Sequence, residues 1–173
     1  MTLAPSYSPP IPFPAPAARA VPPAALAVES TTVDVTELSA FAARLDAHAA
    51  LDGASVSARS IVAKAFLVAS LRHPGVDARW PVLPARHGLR LSELTAALDG
   101  AEAASPIPED AAVLSVGAIT QQSAEFDGRI EAREVVALSL AFDPRRTDAV
   151  AAHRLVEEFA ALLADPWELI AHS

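Results

Sequence analysis

The sequence contains no cysteine, and Lys64 is its only lysine in 173 residues. The lack of cysteine excludes disulfides, thiolate metal sites and a cysteine nucleophile, and without a disulfide framework the cytoplasm is the expected compartment. The net charge is −8 and no basic run is present, so the chain is not expected to bind nucleic acid. No apolar run reaches the ~18 residues of a membrane-spanning helix, and the N-terminus lacks a signal-peptide pattern, so no membrane association is expected.

Aromatic residues and glycines are also scarce. Aromatics supply 5% of the chain, and the apolar share of 52% contains many alanines, which predicts a core of mainly small side chains. The six glycines are not clustered, so there is no glycine-rich phosphate loop. No two histidines have metal-ligand spacing, and no metal site is predicted.

Prolines, in contrast, are concentrated at the start of the chain, where residues 1–23 hold eight of the fifteen. Proline fixes φ and removes a backbone donor, so this segment is neither a helix nor a central strand. We expect a Pro/Ala-rich arm or linker over 1–23, followed by one domain over 24–173. One interpretation of the arm is a disordered tail. The other is an arm that docks on a neighbouring subunit through Tyr7 and Phe13.

Alternating small apolar and polar residues predict a strand over 25–35. Two further strands, 112–122 and 132–143, flank a hairpin turn at Asp127-Gly128. Helical spacing of apolar residues predicts four helices that start at Thr36, Ser57, Ser92 and Asp148 and stop at Gly53, Pro74, Gly100 and Pro166.

The second and last helices carry the clearest apolar patterns. Apolar residues, Leu71 among them, surround most of the second helix, which predicts a buried element. The last helix has a single apolar stripe that consists of Ala152, Leu155, Val156, Phe159, Leu162 and Leu163. Since strands and helices do not alternate regularly, the predicted fold class is α+β, a two-layer sandwich with helices on one face of a mixed or antiparallel sheet.

Several segments resemble, in chain order, the catalytic domain of the dihydrolipoamide acyltransferases of 2-oxo acid dehydrogenase complexes. They are 31–45, 55–80 with its Lys64-Ala65 pair, 112–122 and 126–170. The most specific part is a hairpin followed by the turn Asp143-Pro144-Arg145-Arg146-Thr147-Asp148-Ala149 and a helix. The family writes this turn Asp-His-Arg-x-x-Asp-Gly.

The resemblance implies a chloramphenicol-acetyltransferase-like fold, assembled as a trimer with acyl transfer at the subunit interface. In the family, the motif histidine removes the proton from a thiol of coenzyme A or dihydrolipoamide, and the thiolate attacks a thioester carbonyl. A hydroxyl from elsewhere in the trimer stabilises the oxyanion. Coenzyme A is therefore the ligand that the resemblance suggests, and no other cofactor is implied.

The chain departs from the family pattern at three places. Pro144 replaces the histidine and cannot accept a proton. Ala149 replaces the glycine, which makes a positive φ costly there. The middle of the domain, 81–111, is short and lacks the Thr-x-Ser-Asn-Leu-Gly-like segment that supplies the oxyanion hydroxyl. The degenerate motif keeps Asp143, Arg145 and Asp148, and the resemblance implies that Asp143 and Arg145 brace the turn.

No other residue is expected to act as the base in place of the motif histidine. His153 lies in the last helix at a position that faces packing or solvent, and His48, His73, His87 and His172 are expected to be solvated. Ser139 is expected to be a small inward-facing residue, and Glu157-Glu158 a solvated helix face. Lys64 is expected to be a snorkelling or interface charge.

Three functions remain open from the sequence. The first is a non-catalytic, oligomerising or binding component of an acyltransferase or 2-oxo acid dehydrogenase-type complex. Its partners would be copies of itself, as a trimer, and a full-length acyltransferase or other subunits of the complex. The second is a functioning acyltransferase with a rebuilt site that relies on binding and orientation. The third is a folded remnant without a role of its own.

Overall fold

The computed structural model describes residues 26–81, 83, 90–99, 111–126 and 128–171. The arm predicted over 1–23, together with His87 and His172, lies outside these residues. The described elements are β1 (Ala27–Asp34), α1 (Thr36–Ala49), α2 (Ala58–Arg72), β2 (Ala78–Arg79), α3 (Leu91–Asp99), β3 (Ala112–Val116), β4 (Thr120–Phe126), β5 (Arg129–Phe142), α4 (Ala149–Ala164) and α5 (Glu168–Ala171).

The strands form one mixed sheet around β5, in the order β1-β5-β3-β2 with β4 also paired to β5. β5 runs antiparallel to β1, β3 and β4, whereas β2 is parallel to β3. β1 ends where Asp34 pairs with Val135, so residues 129–134 of β5 continue with β4 as a two-stranded ribbon. We call β4 and residues 129–134 the β4–β5 ribbon.

The core lies between one face of this sheet and the helices. Alternate residues of β5 are buried on the helix side, from Val136 to Phe142. α4 packs on β1 and β5, and α2 lies against α3 and α4. All six residues of the predicted α4 stripe are buried. The predicted α+β class, with helices on one face of a mixed sheet, is therefore confirmed.

α2 is largely buried, as its pattern predicted, but Leu71 is not. Eight of its fifteen residues, including Ile61 and Phe66, are buried, and Phe66 makes edge-on contacts with Trp80 and Phe159. Leu71 is 72% exposed, and its neighbour Arg72 is exposed too. The helix thus leaves the core in its last turn, where an apolar side chain meets solvent.

Several predicted boundaries are wrong for local reasons. Thr36 does not cap α1, because its hydroxyl bonds to Asp34 and accepts from the backbone N–H of Glu134. α3 begins at Leu91, one residue before the predicted cap Ser92, and the side chain of Glu93 accepts from the backbone N–H of Arg90. Ser57 caps α2 as predicted.

The hairpin strands also differ from the prediction. The strand predicted over 112–122 is divided into β3 and β4 by residues 117–119. Around the turn, β4 and β5 reach Phe126 and Arg129, so most of the residues between the two predicted strands, 123–131, are strand as well. Gly128 has φ +75°, which suits the tight turn predicted there. The two-residue strand β2 is an additional strand, which lies outside the three predicted ones.

Candidate functional site

The turn that follows β5 is organised by the carboxylate of Asp143. Its Oδ1 accepts from the backbone N–H of Arg145 at 2.9 Å and from Nε of that side chain at 3.0 Å, while Oδ2 accepts from Nη2 at 2.9 Å. These hydrogen bonds, first the side-chain bonds and then the backbone bond, hold the pKa of Asp143 below its ordinary value. The pair braces the turn from within one short segment.

The rest of the turn leads directly into α4. The carbonyl of Asp143 accepts from the backbone N–H groups of Arg146 and Thr147, both at 3.0 Å. Thr147 is buried. Asp148 is the N-cap of α4, and its side chain accepts from the backbone N–H of Val150. Asp143 and Asp148 therefore set the angle between the last strand and the last helix.

Pro144, between Asp143 and Arg145, is exposed and presents no polar group. The side chain of Arg145 is 76% exposed and is paired with Asp143, whose carboxylate raises the pKa of this guanidinium further. The turn thus contains a structural ion pair and no group that can take up a proton near neutral pH.

Beside this turn lies the face of the sheet that no described helix covers, which we call the open face. Side chains alternate along a strand, so the residues between the buried ones point to it. Ser139 lies between the buried Leu138 and Leu140, and it is half-buried on the open face. The expectation that Ser139 points inward is wrong, because the strand phase places the leucines in the core.

Three serines form a row across the open face. Ser139 of β5 is directly opposite Ser30 of β1 and Ser115 of β3. We call these three residues the hydroxyl row. Within the described part of the chain, their side chains have no hydrogen-bond partner.

The hydroxyl row lines an open depression of about 740 Å³, together with Thr32, Gly117 and Ala137. Gly117 lies close to the neighbouring strand, since a Cβ there would stand 3.2 Å from the carbonyl oxygen of Ala137. Val28 and Ala141, which pair with each other next to the hydroxyl row on the same face, are apolar. The depression can accept a flat, uncharged surface or an extended ligand that bonds to hydroxyl groups.

His153 lies on the other side of β1. Its Nδ1 is 3.6 Å from Oε2 of Glu29, and its Nε2 is 3.2 Å from Oε1 of Glu157. Glu29 pairs in register with the buried Leu140, so it points to the helix side, away from the hydroxyl row. His153 is exposed and fixed between two carboxylates, and the sheet separates it from the open face.

The other polar candidates are also remote from the depression. His48 lies on the exposed side of α1, and His73 follows α2. Glu158 forms an ion pair with Arg72 across α2 and α4, so it is not wholly a solvated group as predicted. Lys64 is half-buried in α2.

Among the described residues, no group of three histidines, aspartates or glutamates is arranged to hold a metal ion. A membrane-crossing helix is likewise not found in the described part of the chain, where every helix is too short or too polar.

Sequence reasoning missed the hydroxyl row. Each serine was visible in a strand pattern, but the row depends on the register of three strands. The signal that could have found two of its members is the phase of each strand, because Ser115 and Ser139 each lie between apolar residues that must face the core, whereas Ser30 lies between Glu29 and Thr31.

Solved structures with a similar fold belong to acyltransferase cores. The cubic core of the pyruvate dehydrogenase multienzyme complex matches with a TM-score of 0.65 and 19% identity, covering 86% of this chain and 85% of that chain. A dihydrolipoamide acetyltransferase from Azotobacter vinelandii has a TM-score of 0.62 and 20% identity over the same shares. A probable dihydrolipoamide acetyltransferase from Listeria monocytogenes has a TM-score of 0.58 and 16% identity, covering 80% of this chain and 83% of that chain.

At the sequence level, residues 91–171 match the family described as 2-oxoacid dehydrogenases acyltransferase (catalytic domain). The comparison with curated proteins gives no match. The matched range holds β3, the β4–β5 ribbon, the Asp143 turn and α4, which is the block that carried the most specific part of the resemblance.

Proposed function

We propose that the chain, whose residues 91–171 match the 2-oxoacid dehydrogenases acyltransferase (catalytic domain) family, is a non-catalytic, self-assembling component of an acyltransferase or 2-oxo acid dehydrogenase-type complex. Its partners would be copies of itself, assembled as a trimer, and a full-length acyltransferase of the same complex. It requires no cofactor of its own for this role, which it would fulfil in the cytoplasm.

The observation that carries this proposal is Pro144. In the Azotobacter enzyme, a serine, a histidine and an asparagine were examined for roles in the catalytic mechanism, and the histidine and asparagine are four positions apart. The motif places Pro144 and Asp148 at the same spacing here. Proline has no titratable group, so the turn keeps its brace and its cap but has no base.

No described side chain compensates for this loss at the open face. His153 is held on the helix side of β1 by Glu29 and Glu157. The polar groups in the depression are serine and threonine hydroxyls. A hydroxyl can donate to a developing oxyanion, but it does not accept a thiol proton near neutral pH.

The open face supports assembly. Val28, Ala141 and Val113 form an apolar row beside the hydroxyl row, and the residues that line the depression are all uncharged. The chain as a whole is 20% charged. The absence of charge around the depression is typical of the buried centre of a protein interface.

The hydroxyl row favours one alternative, a functioning acyltransferase with a rebuilt site. Three free hydroxyls in a depression of about 740 Å³ could orient an acyl thioester of coenzyme A, or another thiol acceptor, by hydrogen bonding. Such an enzyme would depend on orientation and oxyanion stabilisation without a general base.

A thiol-release assay with acetyl-coenzyme A and dihydrolipoamide separates the two functions. A positioned base contributes roughly 10²–10⁴-fold to the rate, so we expect no turnover above the uncatalysed exchange. The variants Pro144→His and Pro144→His with Ala149→Gly should also be inactive, because a histidine alone does not rebuild the acyl-binding channel. Ser139→Ala in the wild-type background is the matched control for the hydroxyl row.

Wild-type turnover well above the background, lost in Ser139→Ala, would replace the non-catalytic function with the rebuilt enzyme. Turnover that appears only with histidine at position 144 would leave the wild type non-catalytic, and would show that the channel is still formed.

A further inference from the structure

β4 is an edge strand with one unpaired side. It pairs with β5 over its whole length, from Thr120 opposite Val135 to Phe126 opposite Arg129. Among the described residues no strand lies on its other side. The side chains from Thr120 to Glu125 are all exposed. A two-stranded ribbon of this kind is marginally stable in water without further packing.

The register shows which backbone groups of β4 are free. Glu134 bonds towards the β1 side, since Val35 N–H donates to its carbonyl and its own N–H donates to Thr36. Bonding directions alternate along a strand, so residues 129, 131, 133 and 135 bond to β4. Their partners are 126, 124, 122 and 120, which leaves Gln121, Ser123 and Glu125 bonding outwards.

This outer edge lacks the features that normally prevent edge-to-edge pairing. Natural edge strands carry lysine, proline, bulges or inward charges. β4 reads Thr-Gln-Gln-Ser-Ala-Glu-Phe, with one charged residue and no proline. Its pairing with β5 runs without a bulge. The edge is therefore ready to accept another strand.

The order of residues along the outer edge indicates which strand can pair with it. If a second copy of β4 runs antiparallel about a twofold axis at Ser123, then Ser123 faces Ser123 and Gln121 faces Glu125, twice. Each glutamine amide can donate to a carboxylate, and no two charges of the same sign are directly opposite. We propose that β4 is a homotypic interface, where the outer edges of two copies of this chain join their sheets in this register.

The base of the ribbon holds the edge in a fixed orientation. Arg133 Nε donates to Oδ2 of Asp34 at 2.7 Å, and the hydroxyl of Thr36 accepts from Glu134 N–H at 2.9 Å. Partial burial opposes the ionisation of Asp34, but hydrogen bonds from Thr36 and Arg133 outweigh it and lower the pKa of this carboxyl. A preset orientation reduces the entropy lost when two edges pair.

Because the chain has no cysteine, single thiols can test the register in the full chain. Residues facing each other across such a pair have Cα atoms about 5.5 Å apart, within the range of about 4.4–6.8 Å that a disulfide spans. Ser123→Cys should therefore give a disulfide-linked dimer under mild oxidation with glutathione disulfide. Gln122→Cys is the matched control, since residue 122 meets its copy diagonally at about 7–8 Å and should cross-link at least tenfold less.

A second measurement, on Ser123→Lys, tests the interface independently of how readily the thiol of Ser123→Cys oxidises. Two lysines would face each other at the axis, so the mass measured by light scattering should fall to half or less of the wild-type mass. Gln122→Lys adds the same charge off the axis and should keep the wild-type mass. Equal cross-linking of the two cysteine variants, or an unchanged mass in Ser123→Lys, would overturn the proposal.

This interface does not depend on the proposed absence of catalysis. The cross-link reports on β4 alone, and the thiol-release assay reports on the Asp143 turn alone. A wild-type chain that turns over substrate, together with a Ser123→Cys variant that cross-links, would refute the first proposal and keep the second.

Discussion

At the scale of single residues, Asp143 holds the turn together by hydrogen bonds, whereas its neighbour Pro144 provides no group that can accept a proton. The carboxylate of Asp143 accepts three hydrogen bonds within its turn, and none of them requires the side chain of residue 144. A proline at this position, with φ fixed near −65°, leaves the backbone bonds from Arg145, Arg146 and Thr147 in place. The turn therefore keeps its hydrogen bonds with a proline at position 144.

The ion pair predicts how the turn responds to acid. A carboxyl with a lowered pKa stabilises the folded state at every pH above its ordinary value, about 3.9. That contribution is lost as the pH falls through the lower, folded-state pKa. In an NMR titration of the carboxyl carbons, Asp143 should titrate below the ordinary aspartate value.

Arg145→Gln provides the comparison. It removes the side-chain hydrogen bonds and the positive charge, so Asp143 should titrate nearer to its ordinary value. The same titration curve for Asp143 in both proteins would show that Arg145 does not hold the carboxylate in solution.

At the scale of elements, the start of α2 is fixed by Ser57. Its hydroxyl accepts from the backbone N–H of Ser60 at 3.2 Å, and its own N–H donates to Thr95 of α3 at 3.2 Å. Ser60 is buried, and its hydroxyl donates back to the carbonyl of Ser57 at 2.7 Å. The cap thus joins two helices at a point that solvent does not reach easily.

Replacing Ser57 by alanine leaves the N–H of Ser60 without its side-chain acceptor. We expect a loss of about 1 kcal/mol in the free energy of unfolding, measured by urea denaturation at a fixed protein concentration. Ser57→Asn keeps a capping oxygen and should cost much less. Ser55→Ala, in the exposed segment before the helix, should have no effect, and a loss there equal to that of Ser57→Ala would contradict the role of the cap.

The helices show which features of burial and capping a sequence pattern can predict. The stripe of α4 was predicted in full, because its period of 3.6 residues matches one buried face. The pattern of α2 was less informative. A helix that is apolar nearly all round does not show at which residue its burial by neighbouring elements ends, and Leu71 is in fact exposed. Thr36 was assigned as a cap from local sequence, whereas its hydroxyl is engaged by Asp34 and by Glu134 of a distant strand.

The candidate site was only partly accessible from sequence. The Asp143 turn is local, so its motif could be read directly. The hydroxyl row joins residues 30, 115 and 139 through strand pairing, and one sequence does not fix that register. The division of β3 from β4 at Gly117, where the chain lies close to Ala137, also depends on a contact between strands.

At the scale of the whole molecule, one face of the sheet is covered by helices, and no described helix covers the other. Large apolar side chains are exposed there, such as Val28 of β1, and Leu26 is exposed just before that strand. A domain with so much uncovered apolar surface is expected to bury part of it against other copies. We expect light scattering coupled to size exclusion to give a trimer or a multiple of a trimer.

Ser139→Arg tests whether the open face is the contact. A guanidinium in the middle of the hydroxyl row would be buried without a partner, so the mass should decrease. Ala47→Arg adds the same charge on the exposed side of α1 and should not change the mass. A wild-type monomer at micromolar concentration, or an assembled Ser139→Arg, would contradict assembly through this face.

The pairing of β1 with β5 has a consequence for how the chain acquires its structure during synthesis. Ala27 pairs with Phe142 and Asp34 with Val135, so these bridges span roughly a hundred positions. β1 therefore leaves the ribosome well before β5, its only partner among the described strands. Since contacts of high sequence separation form slowly, the sheet closes only after β5 has emerged, and until then β1 exposes both edges to chaperones or to other nascent chains.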